Sequence, residues 1–377
     1  MYKNYLSLVV IATLLLSCAT GKKALQKGNY FSAVTKAVER LKSDSDNKKA
    51  SQVLKDGYPL AIQWSQEELD IALTSNSAFK WGVAVDLMKK VNRLSNLIRR
   101  TPAARKIITE PKSYLSELNM AIEKAAEERY NAGLIELEQN TLESARIAYD
   151  HFYKAEQFIP GYKDVIQKLE IAKEIATLKV IVEAVTVNTK KYQLSSEFFY
   201  NQVFEFLNNK YPSDGFVNFY SPQQAETYKI EQPDFIVRME FFDFSVGNLT
   251  RNEKEEILKK RVEINVKDTT KVEYRTYSAK LKTYTDEVVS GGRLKLKIID
   301  FQTNNLLRDN LIPGSFTWIN DYAIFVGDID ALDNKQIELT KRKALPLPPG
   351  QDLFIEFTKP IYEQLTNRLN SFFRKYR

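Results

Sequence analysis

Side chains able to do covalent or metal chemistry are scarce in this chain. Among 377 residues there is one histidine, His151, and one cysteine, Cys18. A disulfide within the chain, a Cys/His zinc site, and a Ser-His-Asp or Cys-His mechanism each need more, or must be built on His151 alone. His151 stands beside Tyr149, Phe152 and Tyr153 in a stretch of helical periodicity, the setting of a packed or surface helix residue rather than a base. Carboxylates remain. Asp243, Asp300, Asp328 and Asp330 fall near expected strand ends, and a cell-wall glycan hydrolase can work with two carboxylates about 5–9.5 Å apart. Turn and edge roles account for the same four residues. Gly327-Asp-Ile-Asp330 is too short for a calcium loop. The sequence carries no phosphate-binding loop, dinucleotide glycine motif or His-Glu metal helix. This inventory points away from an enzyme, calls for no cofactor and offers no metal site.

Cys18 closes a distinctive start. Lys3 precedes an apolar run from Leu6 to Leu16, broken only by Ser7 and Thr13 and followed by Ser17-Cys18. At about 1.5 Å per residue the run covers about half of a hydrocarbon core near 30 Å. Residues 1–17 therefore read as a signal peptide rather than a spanning helix. Leu15-Leu16-Ser17-Cys18 resembles the lipobox of bacterial lipoproteins. That resemblance implies that the Cys18 thiol is acylated, palmitate being a typical chain, and that cleavage leaves Cys18 as the first mature residue. An ordinary secretory signal with a chance cysteine is the alternative. Ala19 rather than Asp in the second mature position implies, by the same resemblance, the outer membrane. Ala19-Thr20-Gly21-Lys22-Lys23 lacks an acidic surface-export cluster, so a periplasm-facing position is expected. No later stretch approaches 18 consecutive apolar residues.

Composition sets the remaining bounds. The chain is 44% hydrophobic and 27% charged, enough to bury a core, and its length suits two domains. The 55 Lys+Arg against 48 Asp+Glu give a net charge of +7, spread along the chain, so nucleic acid is not an expected partner.

From about residue 22 to 178 the pattern is helical. Leu25, Tyr30, Ala33, Ala37 and Leu41 recur at helical spacing, and Ser43 to Asn47 is a polar break. Further helices are predicted at 48–56, 65–74, 80–99, 112–138, 141–158 and 162–178, with Pro59, Pro102, Pro111 and Pro160 between them. Gly133, Ala145, Tyr149, Phe152, Ala155 and Pro160 resemble a tetratricopeptide unit, in which small residues let two helices approach and proline ends the second. About three extra residues between Ala145 and Ala155 depart from that pattern. Gly28-Asn29-Tyr30 with Ala33, and Gly82 with Ala84, are weaker copies, but Ala33, Ala84 and Ala145 are separated by 51 and 61 residues, not a period of about 34. A generic helical bundle is the alternative, and either gives a docking surface rather than a chemical site.

At Lys179 the character changes. Lys179 to Val187 is β-branched and strand-like, and Ser195 to Asn209 places Phe198, Phe199, Val203, Phe206 and Leu207 on one helical stripe. Strands are predicted at 216–220, 233–244 and 293–301 and near 315–318, with a helix opened by Ser221-Pro222-Gln223-Gln224-Ala225 and a final amphipathic helix at 354–373. The fold class is α + α/β: a helical-hairpin domain over 18–178, then an α/β sandwich with one mixed sheet over 179–377. Phe198, Phe199, Phe206, Phe235 and Phe241 are expected in its core.

Three pieces carry a family resemblance: the Ser221-Pro-Gln-Gln-Ala225 helix after a short strand, the strand opening Pro233-Asp234-Phe235-Ile236-Val237, and Leu296-Lys-Ile-Ile-Asp300-Phe-Gln-Thr-Asn-Asn305. Together they resemble the domain shared by the curli-secretion lipoprotein, the amino-terminal domain of TolB and the lipoproteins that activate penicillin-binding proteins. The resemblance covers about 180–375 and implies an envelope protein that holds protein partners in secretion, outer-membrane assembly or cell-wall synthesis. Residues of about 250–292 have no counterpart in the smallest members and read as inserted strands, turned by Gly291-Gly292. A pore-forming relative of the curli channel is a weaker alternative, because Lys271, Arg275, Lys280, Lys282, Asp286 and Glu287 charge both faces of the insert. Tyr274, Tyr277 and Tyr284 sit among those charges, where a core is not expected, and are the predicted partner-binding residues.

Overall fold

The computed structural model describes residue 22, residues 24–264 and residues 273–377. Cys18, and with it the acylation expected there, lies outside the described residues, as does Lys271. The chain separates into two compact units, one through Ala176 and one from Thr177.

The first unit is built of α1 (Tyr30–Ser43), α2 (Lys48–Thr74), α3 (Lys80–Arg100), α4 (Pro102–Ile107), α5 (Leu115–Glu138), α6 (Leu142–Phe158) and α7 (Val165–Ala176). Side-chain caps start several of them: Asn29 accepts from the Ser32 amide, Asn47 from Ala50, and Thr141 and Ser144 form a reciprocal box. Pro59 does not separate two helices as expected; it lies inside α2. Proline there costs about 3 kcal/mol. Residues 55, 56, 59 and 60 face solvent, so water can satisfy the carbonyl that Pro59 cannot. The other face buries Leu54, Tyr58, Ala61, Ser65 and Leu69 without interruption, and each large apolar side chain contributes about 1.5–3 kcal/mol. Continuity of that face outweighs the lost bond. Between α5 and α6, Gly133 admits the Phe152 ring, since a Cβ there would lie 2.7 Å from it.

The second unit is a six-stranded mixed sheet, so the α + α/β class holds. Its strands are β1 (Leu178–Val182), β2 (Thr186–Val187), β3 (Val217–Tyr220), β4 (Phe235–Ile264), β5 (Glu273–Asp300) and β6 (Leu306–Gly327), with α8 (Gln193–Lys210) and α9 (Pro222–Thr227) before β4 and α10 (Asn334–Lys341) and α11 (Gly350–Phe373) after β6. The order is β3-β1-β4-β5-β6, with β2 also on β4; β1, β2, β3 and β4 run parallel, and β5 and β6 are antiparallel to their neighbours. The inner face of the sheet packs on α8 and α11 through aromatic edges, Phe199 on Phe241 at 5.2 Å, Phe354 on Phe241 at 5.2 Å and Phe373 on Phe219 at 4.9 Å. Phe198 departs from its expected place in the core and is 48% exposed. Its neighbours Phe199, Val203 and Leu207 take the buried stripe, which leaves Phe198 on the flank of α8.

The motifs around Asp234 and Asp300 fix sheet register. The Asp234 carboxylate accepts the Lys179 amide at 2.7 Å and so clamps β1 to β4. Asp300 caps the turn into β6 by accepting the Thr303 amide at 2.9 Å, with Asn304 in the left-handed region. Gly291 and Gly292, by contrast, make no turn. Both lie inside β5, opposite Ser245 and Phe244 on β4 and Ser315 and Gly314 on β6. Neither has positive φ, which a tight hairpin turn demands. They are small because the sheet is crowded there: a Cβ on Gly292 would lie 2.4 Å from Phe244 Cβ, and one on Gly314 2.5 Å from both Ile361 and the Phe357 carbonyl of α11. The inserted strands are thus continuations of the core strands β4 and β5.

Candidate functional site

The start of α11 covers the sheet as far as Gly247, where a Cβ would sit 3.9 Å from Leu353. Beyond that row β4 continues to Ile264, an arm of about 55 Å at the usual strand rise. Two irregularities in β4, at Phe241/Asp243 and Ser245/Asn248, precede it, and bulges of this kind bend and twist a strand. On the arm's inner face the row of Leu249, Val288 and Trp318 comes first, and the next pairs Arg251, Asp286 and Asn320 across the three strands. The Asp286 side chain is 2% exposed and is held bidentately by Arg251 at 2.5 and 2.9 Å. Those bonds keep its carboxyl below its ordinary value.

The next row holds Glu253, Tyr284 and Tyr322. Tyr284 and Tyr322 stack at 4.8 Å, and Lys282 lies 5.0 Å over Tyr284 while pairing with Glu253 at 2.8 Å. Tyr274, 52% exposed, carries Arg261 at 4.0 Å over its ring. Strand alternation puts Tyr277 on the other face from these two. There it packs at the border of a small core of Ala279, Leu281, Ala323, Ala331 and Leu332, together with Ile337 and Leu339 of α10. The arm therefore has a core of its own where none is expected from its charged sequence, and the three tyrosines are not brought into one patch.

Three of the four carboxylates near strand ends have separate structural partners. Asp243 pairs with Arg293, Asp300 with its own turn, and Asp328 accepts the Ser278 amide at 3.2 Å; Asp330 sits in a short 3-10 turn. No group of three or more His, Cys, Asp or Glu residues among the described residues could hold a metal ion.

A second cluster was not legible in the sequence. Phe79 begins α3 with φ +63°, a strained conformation for a bulky residue. Arg129 of α5 lies 3.6 Å from its ring centroid, and Arg129 Nη1 is 3.2 Å from His151 Nδ1, the His151 ring being 5.0 Å from Phe79. Burial and then Arg129 hold the His151 pKa below its ordinary value. Residues from three helices meet here at unrelated spacings, so no periodicity could announce them.

No family model matches the chain, and no curated protein matches it. Among solved structures it is similar to a Helicobacter pylori protein described as a neuraminyllactose-binding hemagglutinin homolog, with 12% identity over 53% of this chain and 90% of that one, at a TM-score of 0.27. A likeness that weak carries neither fold nor function across. No helix among the described residues is long and apolar enough to cross a membrane.

Proposed function

We propose that this chain is a non-enzymatic lipoprotein, anchored through Cys18 in the outer membrane and facing the periplasm, that scaffolds or activates an envelope protein complex. The anchor rests on the lipobox-like Leu15–Cys18, and the helical unit is read as tetratricopeptide-like on the Gly133–Phe152 contact. The observation that carries the scaffolding role is the arm. Strands of 30 and 28 residues run well past the last row that α11 covers, and on the face away from the small core under α10 they carry Tyr274, Tyr284 and paired cations. Exposed aromatics and arginines are the side chains that most often anchor protein interfaces. Leu258 and Ala279 face each other across the hairpin, so residues 259–278 can be replaced by Asn-Gly, a two-residue turn. That variant should remain folded and membrane-anchored and should lose the proteins that crosslink to the full chain in its own envelope. Unchanged crosslinked partners would move the interface to the helical unit and refute the role of the arm.

A further inference from the structure

Beyond Phe241, the last residue of β4 paired with β2, the sheet consists of β4, β5 and β6 alone and has two free edges. The edges differ sharply in chemistry. Nine of the fourteen residues from 251 to 264 on β4 are charged, whereas Asp321 is the sole charge among the eleven residues from 315 to 325 on β6. Charged side chains protect an edge from foreign strands, and an uncharged edge of this length is a pairing template.

The β6 edge is blocked at one end and open beyond it. Pro313 has no amide hydrogen to offer, and its carbonyl accepts from Gln364 of α11 at 3.0 Å. The Asp328 amide donates to Ser278 of β5, so alternation turns the backbone of the odd-numbered residues from Ser315 to Phe325 away from β5. No hydrogen bond from outside the sheet reaches them among the described residues. Ser315, Thr317 and Ile319 are exposed.

We propose that this edge pairs antiparallel with the same segment of a second copy of the chain, about a two-fold axis at Ile319. The other edges fit it poorly: β3 has four residues, and β4 from Arg251 to Glu263 is densely charged. Self-pairing, by contrast, is complementary. Centred at Ile319 it sets Ile319 against its own copy, Thr317 opposite the partner's Asp321, and Ser315 opposite the partner's Ala323. A centre at Thr317 would place Pro313 opposite Asp321, and a centre at Asp321 would oppose two carboxylates. Asp321 is also tied to Thr285 of its own sheet at 2.7 Å. The two three-stranded arms become one continuous six-stranded sheet, in the isologous manner of two-fold dimers.

The test uses the full-length chain in detergent with Cys18→Ser, so that each introduced thiol is the only one. Cysteines placed singly at 315, 317, 319, 321 and 323 are oxidised, with Asn252→Cys on β4 as the control edge. The expected result is a dimer by sedimentation and a crosslink maximal at 319, falling off on both sides and absent at 252. Ile319→Lys and Thr317→Pro should give monomers with unchanged far-UV circular dichroism. A monomeric parent chain, a crosslink maximal at 252, a dimer indifferent to Ile319→Lys, or a crosslink at 319 to a different envelope protein would each overturn the proposal.

Discussion

Arg251 is the residue whose loss tests the reasoning about the arm most directly. Arg251→Met keeps the aliphatic stem and removes the guanidinium, leaving the Asp286 carboxylate with its side chain 2% exposed and without its bidentate partner. Removing one member of a buried ion pair typically costs about 3–5 kcal/mol. The Arg251 side chain is itself 47% exposed, so the pair is screened by solvent and the expected loss at pH 7 is well below that of a fully buried pair. In a unit of this size it should appear as a fall in Tm of several degrees. The pH dependence provides a second, independent check. In the native chain Arg251 holds the Asp286 pKa below its unfolded value, so the contribution is present above about pH 4 and is lost as pH falls through the folded pKa. In Arg251→Met burial acts alone and raises that pKa, so the variant recovers stability relative to the parent between pH 7 and about 4. Asp286→Leu added to Arg251→Met should restore most of the loss, since an apolar replacement leaves no buried charge. Urea unfolding of the full chain at pH 7 and 4.5, followed by circular dichroism of the sheet, measures each quantity. A loss under about 0.5 kcal/mol at pH 7, or a larger loss at pH 4.5 than at 7, would refute the account.

Gly314→Ala should destabilise the sheet unit by about 1–3 kcal/mol, because its Cβ would overlap both the Phe357 carbonyl and Ile361, and the same urea experiment measures it. Phe199→Ala should cost about 3–5 kcal/mol and Phe198→Ser less than about 0.5, a contrast that sequence periodicity alone would not give. His151 carries a lowered pKa in the folded chain and faces Arg129, Asp150, Lys154 and Glu136. Its unfolded form therefore takes up a proton first as pH falls below about 6.5. The parent chain should lose more thermal stability between pH 7.5 and 5 than His151→Gln does, and equal losses would count against the Arg129–His151 contact.

The order of helices and strands was legible because it follows from local periodicity: the helices near 80–100, 115–138 and 142–158 and the strand after Thr177 all lie close to their expected places. The turn chemistry of Asp300 to Asn305 and the cap at Ser221 were legible for the same reason, since each is satisfied within a few residues. What tertiary structure decided is how far elements run and what their small residues are for. Pro59 reads as a break until the buried face of α2 is seen to continue through it. Gly291 and Gly292 read as a turn because a glycine pair is equally suited to positive φ and to close approach, and only Phe244 and the neighbouring strands distinguish the two. The strand lengths of β4 and β6 were underestimated because charged or alternating residues are locally neutral, and cross-strand partners such as Arg251 for Asp286 supply the pairing energy from 35 residues away. The same partners separate Tyr277 from Tyr274 and Tyr284, since the face a strand residue occupies matters only once a helix such as α10 has covered one side.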